Sequence, residues 1–368
     1  MFVGHEFLAF ALVGWGASRL GADSPAALRL GAVAGLAALL PDLDVLYAVA
    51  TYAVAVTAGT PLGWEAFWGV ANGVHRVVTH PLPVGVAAAL VFGVGAAVGS
   101  RRASSRAVSL PLATLLYALA AILYVSFLVY LLWTTAGTAA AVVASAFLAV
   151  VGAVGGVAGR QIRLPAVVLA VAAGVGFLTH PFGDVFLAAP PPLLSPFGPP
   201  VLTERVALAA DPTLEIFGVL FVELAAVWLG VLVALDLGVA EAHRSSSATV
   251  RRGVLGQLRA TIDRYAGVGV AYAVTAPILP RPTVVDAHVL GFTIVPLAAV
   301  VGLSAAVRHR SRITRWEQAE ESEPTRQPRA HSALFGLVTG LATLTLAAVA
   351  YVSTYALTTA GVLPLALG

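Results

Sequence analysis

Apolar residues in this chain fall in long runs instead of alternating with polar ones. Ten runs approach the ~20 residues that cross a bilayer as a helix. They cover 2–20, 26–57, 82–99, 107–133, 138–158, 164–180, 214–237, 265–280, 289–307 and 333–357. The second is long and interrupted by Pro41, and the eighth is short. Their richness in Ala, Gly and Val predicts helices packed closely through small residues. The expected fold is all-α, a polytopic transmembrane bundle of nine to ten spans. It divides into a membrane-embedded core over 1–240, a basic segment at 241–264, and further helices over 265–368 with a polar linker at 308–330.

Composition sharpens this reading. Hydrophobic residues make up 59% of the 368 and charged residues 11%, with a mean hydropathy of +0.91. Soluble domains carry about 25% charged residues, so an integral membrane protein is expected. The first apolar run starts at Phe2, carries His5 and Glu6 and lacks a basic leader, so no cleavable signal is expected. Cysteine is absent, which excludes disulfides and thiolate metal sites. The 21 basic residues are all arginine, gathered in a few loops, and they read as topology signals; no nucleic-acid partner is expected.

Those arginines orient the spans. Arg19 and Arg29 bracket the first short loop, and Arg101, Arg102 and Arg106 follow the third run. Arg160 and Arg163 follow the fifth, Arg244 to Arg264 the seventh, and Arg308 to Arg329 the ninth. The positive-inside rule makes every one of these loops cytoplasmic. The expected location is the plasma (inner) membrane, crossed many times, with both termini extracytoplasmic. On the outer side, residues 58–81 hold Trp64, Glu65 and Trp68, suited to an interfacial amphipathic helix. Residues 181–213 are proline-rich and predict an irregular loop.

This topology sends His5, Asp42, Asp44, His75, His80, His180, Asp184 and Asp211 to the outer half of the membrane. Ionisable groups there are costly unless they are used. Imidazole and carboxylate without thiolate suit Zn²⁺ first, with Mn²⁺ or Fe²⁺ as alternatives, as one ion or two. His180 and Asp184, four apart, share a helix face. Asp42 and Asp44 would diverge on a regular helix, but an irregular turn after Pro41 lets both face one cavity. Asp44 can alternatively orient a histidine from behind. Asp211, ahead of Pro212, reads equally as a ligand or as a helix cap. Arg76 reads as a snorkelling residue or as a clamp for an anionic oxygen.

Five pieces taken in order, GHEFLA, LLPDLD, HRVVTHPL, THPFGD and a proline-rich stretch ending in ADP, resemble the YdjM/DUF457 family of inner-membrane metal-dependent hydrolases. The resemblance covers about residues 1–235. It implies a ligand set of His5, Asp42, Asp44, His75, His80, His180 and Asp184, with Arg76 and Thr79 beside it. Val77 stands where the family usually has glycine, and Pro81 where it usually has serine. The expected activity is hydrolysis of an ester or phosphoester by metal-activated water, on a lipid or lipid-linked substrate at the outer leaflet. Asp42 or Asp44 would serve as general base and Arg76 would hold the substrate's anionic oxygen. The alternative is a divalent-cation or proton transporter using the same cluster, continued inward by Glu223 and Asp236. A third reading is a scaffold with a structural metal.

Overall fold

Every regular element among the described residues is helical. The computed structural model describes residues 3–71, 76–103, 112–186, 189–245, 253–319 and 328–361. In chain order the helices are α1 (Gly4–Arg19), α2 (Ser24–Leu39), α3 (Val45–Thr57), α4 (Trp64–Ala71), α5 (Leu82–Ala103), α6 (Leu112–Ala136) and α7 (Thr138–Gln161). Then come α8 (Ala166–Thr179), α9 (Pro181–Asp184), α10 (Pro212–Ser245), α11 (Val254–Thr261), α12 (His288–Phe292), α13 (Ile294–Ala319) and α14 (Pro328–Thr359). Two 3₁₀ segments, Leu40–Asp44 and Arg264–Thr275, complete the set.

Local chemistry sets several of these boundaries. The Asp23 carboxylate accepts the Ala26 N–H at 2.8 Å and so caps α2, with Pro25 in its first turn. Pro41 has no N–H to continue the α-helical ladder, and the chain tightens there into 3₁₀ turns. Gly137 alone joins α6 to α7. Its φ of 89° lies in the left-handed region that a glycine enters without penalty.

Eight stretches are long and apolar enough to cross a membrane: Ser24–Thr57, Leu82–Arg101, Leu112–Ala136, Thr138–Gln161, Ala166–Asp184, Pro212–Gly238, His288–Arg312 and Ser332–Thr359. Each answers to an expected run. The other two expected runs are shorter elements. α1 has 16 residues, about 24 Å at the α-helical rise and short of a ~30 Å hydrocarbon core. The run at 265–280 is a 12-residue 3₁₀ segment instead of an α-helix. A Cβ on its Gly269 would collide with the Thr343 carbonyl, so this segment lies backbone to backbone against α14.

The chain packs as two compact units, 1–206 and 207–368, so that α10 belongs with the second. In the first unit α5 is central, against α7 and α8; α2 packs on α8, and α1 on α2. Their shared core includes Leu30, Val33, Phe92, Leu128, Phe147 and Phe177. In the second unit α14 packs on α13 and on the second 3₁₀ segment, with α10 and α11 also against it. Because lipid is as apolar as these side chains, close backbone approach supplies much of the attraction between helices. Gly95 and Gly99 of α5 face the carbonyls of Gly152 and Gly156, while Gly155 and Gly159 of α7 face those of Phe92 and Ala96. No side chain fits between them. Gly155→Ala therefore forces α5 and α7 apart at a cost of about 1–3 kcal/mol, and lowers the thermal unfolding temperature in detergent. Gly16→Ala, which meets no neighbouring atom within 4 Å, leaves it unchanged or slightly raised. Equal melting temperatures for the two variants would contradict the close approach.

Candidate metal centre

Four stretches of the first unit converge at one point. His5 comes from the first turn of α1, and Asp42 and Asp44 from the 3₁₀ segment that Pro41 imposes after α2. Arg76, Thr79 and His80 lie in the turn before α5. His180 and Asp184 flank the break that Pro181 makes between α8 and α9. The convergence is buried: His80 is 1% exposed, His180 0% and Asp184 1%.

Asp42, His80, His180 and Asp184 each bring one donor atom to within 4.8 Å of the other three. The His80 and His180 Nε2 atoms are 2.9 Å apart. His80 Nε2 lies 3.1 Å from Asp184 Oδ2 and 3.5 Å from Asp42 Oδ1. His180 Nε2 lies 3.5 Å from Asp42 Oδ1 and 4.0 Å from Asp184 Oδ2. Donors around a tetrahedral ion at ~2.1 Å sit about 3.4 Å from one another, and the observed separations straddle that value. The donor chemistry fits as well, since two imidazoles and two carboxylates make a nitrogen–oxygen set for a borderline or hard divalent cation. The group can hold a metal ion.

A second layer prepares His80 for that task. Thr79 Oγ1 donates its single proton to Asp44 Oδ2 at 2.6 Å, because an ionised carboxylate only accepts. The same Oγ1 lies 2.9 Å from His80 Nδ1, and with its proton already given it acts there as acceptor. The Nδ1 of His80 therefore carries the hydrogen, and its Nε2 presents a lone pair to the cluster. His180 lacks such a device, since its buried Nδ1 has no hydrogen-bond partner among the described residues.

Asp42 and Asp44 do not face one cavity side by side. Two residues apart in a 3₁₀ turn they still diverge, and they bracket His80: Asp42 at Nε2, Asp44 3.7 Å from Nδ1. Asp44 also accepts the Arg76 N–H at 2.8 Å. That bond holds Arg76 at φ 74°, a left-handed conformation unusual for a residue with a Cβ. The Arg76 Nε then sits 3.1 Å from Asp184 Oδ2, with its side chain 15% exposed. Asp42 is the most open member of the group, its side chain 29% exposed.

The remaining expected residues fall as follows. His5 lies behind the group, its Nε2 3.6 Å from Asp184 Oδ1 and its ring centroid 4.3 Å from that of His180. His75 lies outside the described residues. Asp211 is part of the second unit and caps α10: its Oδ1 accepts the N–H groups of Thr213 and Leu214, each at 2.9 Å. Its Oδ2 accepts the Tyr355 hydroxyl at 2.8 Å. Partial burial opposes its charge, but these hydrogen bonds outweigh that and hold its carboxyl below the usual range. One four-donor group forms among the described residues, and Asp211 is not in it. Asp44 thus takes the second of its two sequence readings, orienting a histidine from behind, and does so through Thr79. The strained backbone at Arg76 left no mark in the sequence, because it depends on a contact 32 residues away.

No family profile, curated protein or solved structure matches this chain. The site therefore stands on its own geometry. Thr79→Val preserves shape, removes the acceptor for His80 Nδ1 and leaves Asp44 short of a donor. Metal affinity measured by competition with a chelating dye should fall about 10–100-fold without loss of fold. Unchanged affinity would mean that Thr79 does not orient His80.

Proposed function

We propose that the chain is a membrane-embedded, metal-dependent hydrolase of an ester or phosphoester in a lipid or lipid-linked substrate. The observation that carries this is a cluster of two histidines and two aspartates at the end of a helical bundle, with Asp42 partly open and Arg76 beside it. The resemblance of LLPDLD, HRVVTHPL and THPFGD to the YdjM/DUF457 hydrolases points the same way.

Of the four donors, His80, His180 and Asp184 would hold the cation, Zn²⁺ first by donor type, leaving the more open Asp42 free to act on its water. When bound, it supplies a water of lowered pKa and polarises the bond to be cleaved. Asp44 and Thr79 keep His80 in its ligating tautomer. Arg76, reaching the cluster from a backbone conformation fixed by Asp44, binds an anionic oxygen of the substrate. Asp44 is committed to Thr79 and to the Arg76 amide, so the general-base role falls to Asp42. The transport alternative needs polar groups leading on from the cluster. Leu40 and Val78, each two residues from a donor in the chain, belong to the buried apolar core, which favours hydrolysis.

The test is turnover by the metal-loaded protein in lipid nanodiscs, across phospholipids, lipid phosphates and lipid pyrophosphates. Chelator should abolish product release, and Zn²⁺ or Mn²⁺ should restore it. Arg76→Gln should lower kcat/KM by about 10²–10³ at unchanged metal content. Lowering the pH through the imidazole range, near ~6.5 for an unperturbed histidine, should release the ion and activity together, since protonated histidine cannot ligate. Absence of turnover on every ester and phosphoester class with metal bound would overturn the hydrolase reading.

A further inference from the structure

α3 and α4 leave the bundle immediately beyond the cluster. The crossing stretch Leu82–Arg101 begins two residues after His80, and the stretch Ala166–Asp184 ends on a member of the donor group. The cluster therefore marks one end of the membrane-crossing part of this unit. Ser24–Thr57 continues past it, 34 residues in all, about 51 Å at the α-helical rise against a ~30 Å hydrocarbon core. α2, with 16 residues, uses about 24 Å of that before the cluster. α3, with 13, adds about 20 Å that the core has no room for along its normal.

Nor does α3 suit water. Its sequence, VLYAVATYAVAVT, has no charge, and Ala48 is its one buried residue. Leu46 is 68% exposed and Val54 69%. Thr51 and Thr57 turn their hydroxyls back onto the carbonyls of Tyr47 and Val54. The exposed apolar surface runs on without a break from α2, through Leu36, Leu39, Leu43 and Leu46. α4 is folded against α3 by a pinned turn. The Tyr52 hydroxyl accepts the Gly63 N–H at 2.9 Å and lies 3.0 Å from the Pro61 carbonyl, while its ring meets Phe67 edge-on. Trp64 and Trp68 of α4 meet edge to face at 5.6 Å, and tryptophan is the residue type that settles at the headgroup level.

We infer that the α3–α4 hairpin lies along the membrane interface as an arm whose partner is the phospholipid surface itself. It continues the lipid-facing strip of α2 and holds the metal cluster at headgroup depth. The seat of the arm rests on lengths and exposures alone. Joined to the proposed hydrolase function, it restricts the substrate to an amphiphile whose scissile bond sits at the depth of a lipid headgroup.

The absence of cysteine makes the test direct. Single substitutions Leu46→Cys, Val49→Cys, Val54→Cys and Leu62→Cys in the full chain, each at an exposed position, are labelled with an environment-sensitive fluorophore and reconstituted in phospholipid vesicles. Leu123→Cys, exposed in the middle of α6, supplies the deep reference. All four arm positions should be quenched several-fold more by lipids carrying a quencher near the headgroup than by lipids carrying it near the chain end, with Leu123→Cys showing the reverse. Depth that grows steadily from 46 to 54 would make α3 part of a span and overturn the inference. Quenching only by a water-soluble quencher would make it a solvated arm and overturn it equally. Neither readout depends on metal or turnover, so failure of the hydrolase reading would be seen separately.

Discussion

His80 is the side chain on which the site depends. One edge of its ring faces the carboxylates of Asp42 and Asp184, and the other faces Thr79 backed by Asp44. In a dry interior an isolated carboxylate or imidazolium would be neutralised or expelled. Here each charge has a counterpart, and the hydrogen-bond direction set by Asp44 leaves the His80 Nε2 lone pair pointing into the group. A divalent cation completes the balance, because it offsets two carboxylates at once and gives both imidazole nitrogens a common partner. Those nitrogens lie 2.9 Å apart, close enough for one ion to serve both.

The bundle supplies the precision this requires. Ligands from three stretches can meet only if α2, α5 and α8 hold fixed relative heights. Backbone-close contacts such as Gly176 against the Ala34 carbonyl, and Gly85 against that of Phe177, set those heights without a polar bond between the helices. Proline does the local work. Pro41 turns the chain into 3₁₀ geometry at Asp42, and Pro181, without an N–H, interrupts the hydrogen-bond ladder of the stretch that carries His180 and Asp184. Fold and site thus share one design, in which helices packed by small residues break at the same level and present their broken ends to one another.

Much of this was legible in the sequence. Apolar run length located eight crossing stretches, since burial in lipid demands both length and an unbroken backbone ladder. It misjudged 265–280, where Gly267, Gly269 and the approach to α14 favour 3₁₀ turns over α-helix. All four members of the donor group were nameable from residue type and depth. Their division of labour was open: Asp44 read either as a ligand or as the orienter of a histidine, and only the direction each aspartate takes from the 3₁₀ turn makes Asp42 the donor and Asp44 the anchor of Thr79. Asp211, open to two readings in the sequence, acts as a helix cap with both oxygens engaged. A helix was expected within 58–81, and α4 lies there; that α3 folds with it was hidden, because apolar composition reports affinity for lipid and says nothing of whether a helix crosses it or lies along it.

The claim that these four side chains form a metal centre is tested most directly by elemental analysis of the protein purified without chelator. It should carry a stoichiometric divalent metal, Zn²⁺ by preference, which His80→Ala and Asp184→Ala each abolish while the helical content by circular dichroism is retained. A wild-type protein without metal after incubation with Zn²⁺ and Mn²⁺, or variants that retain it in full, would contradict the account.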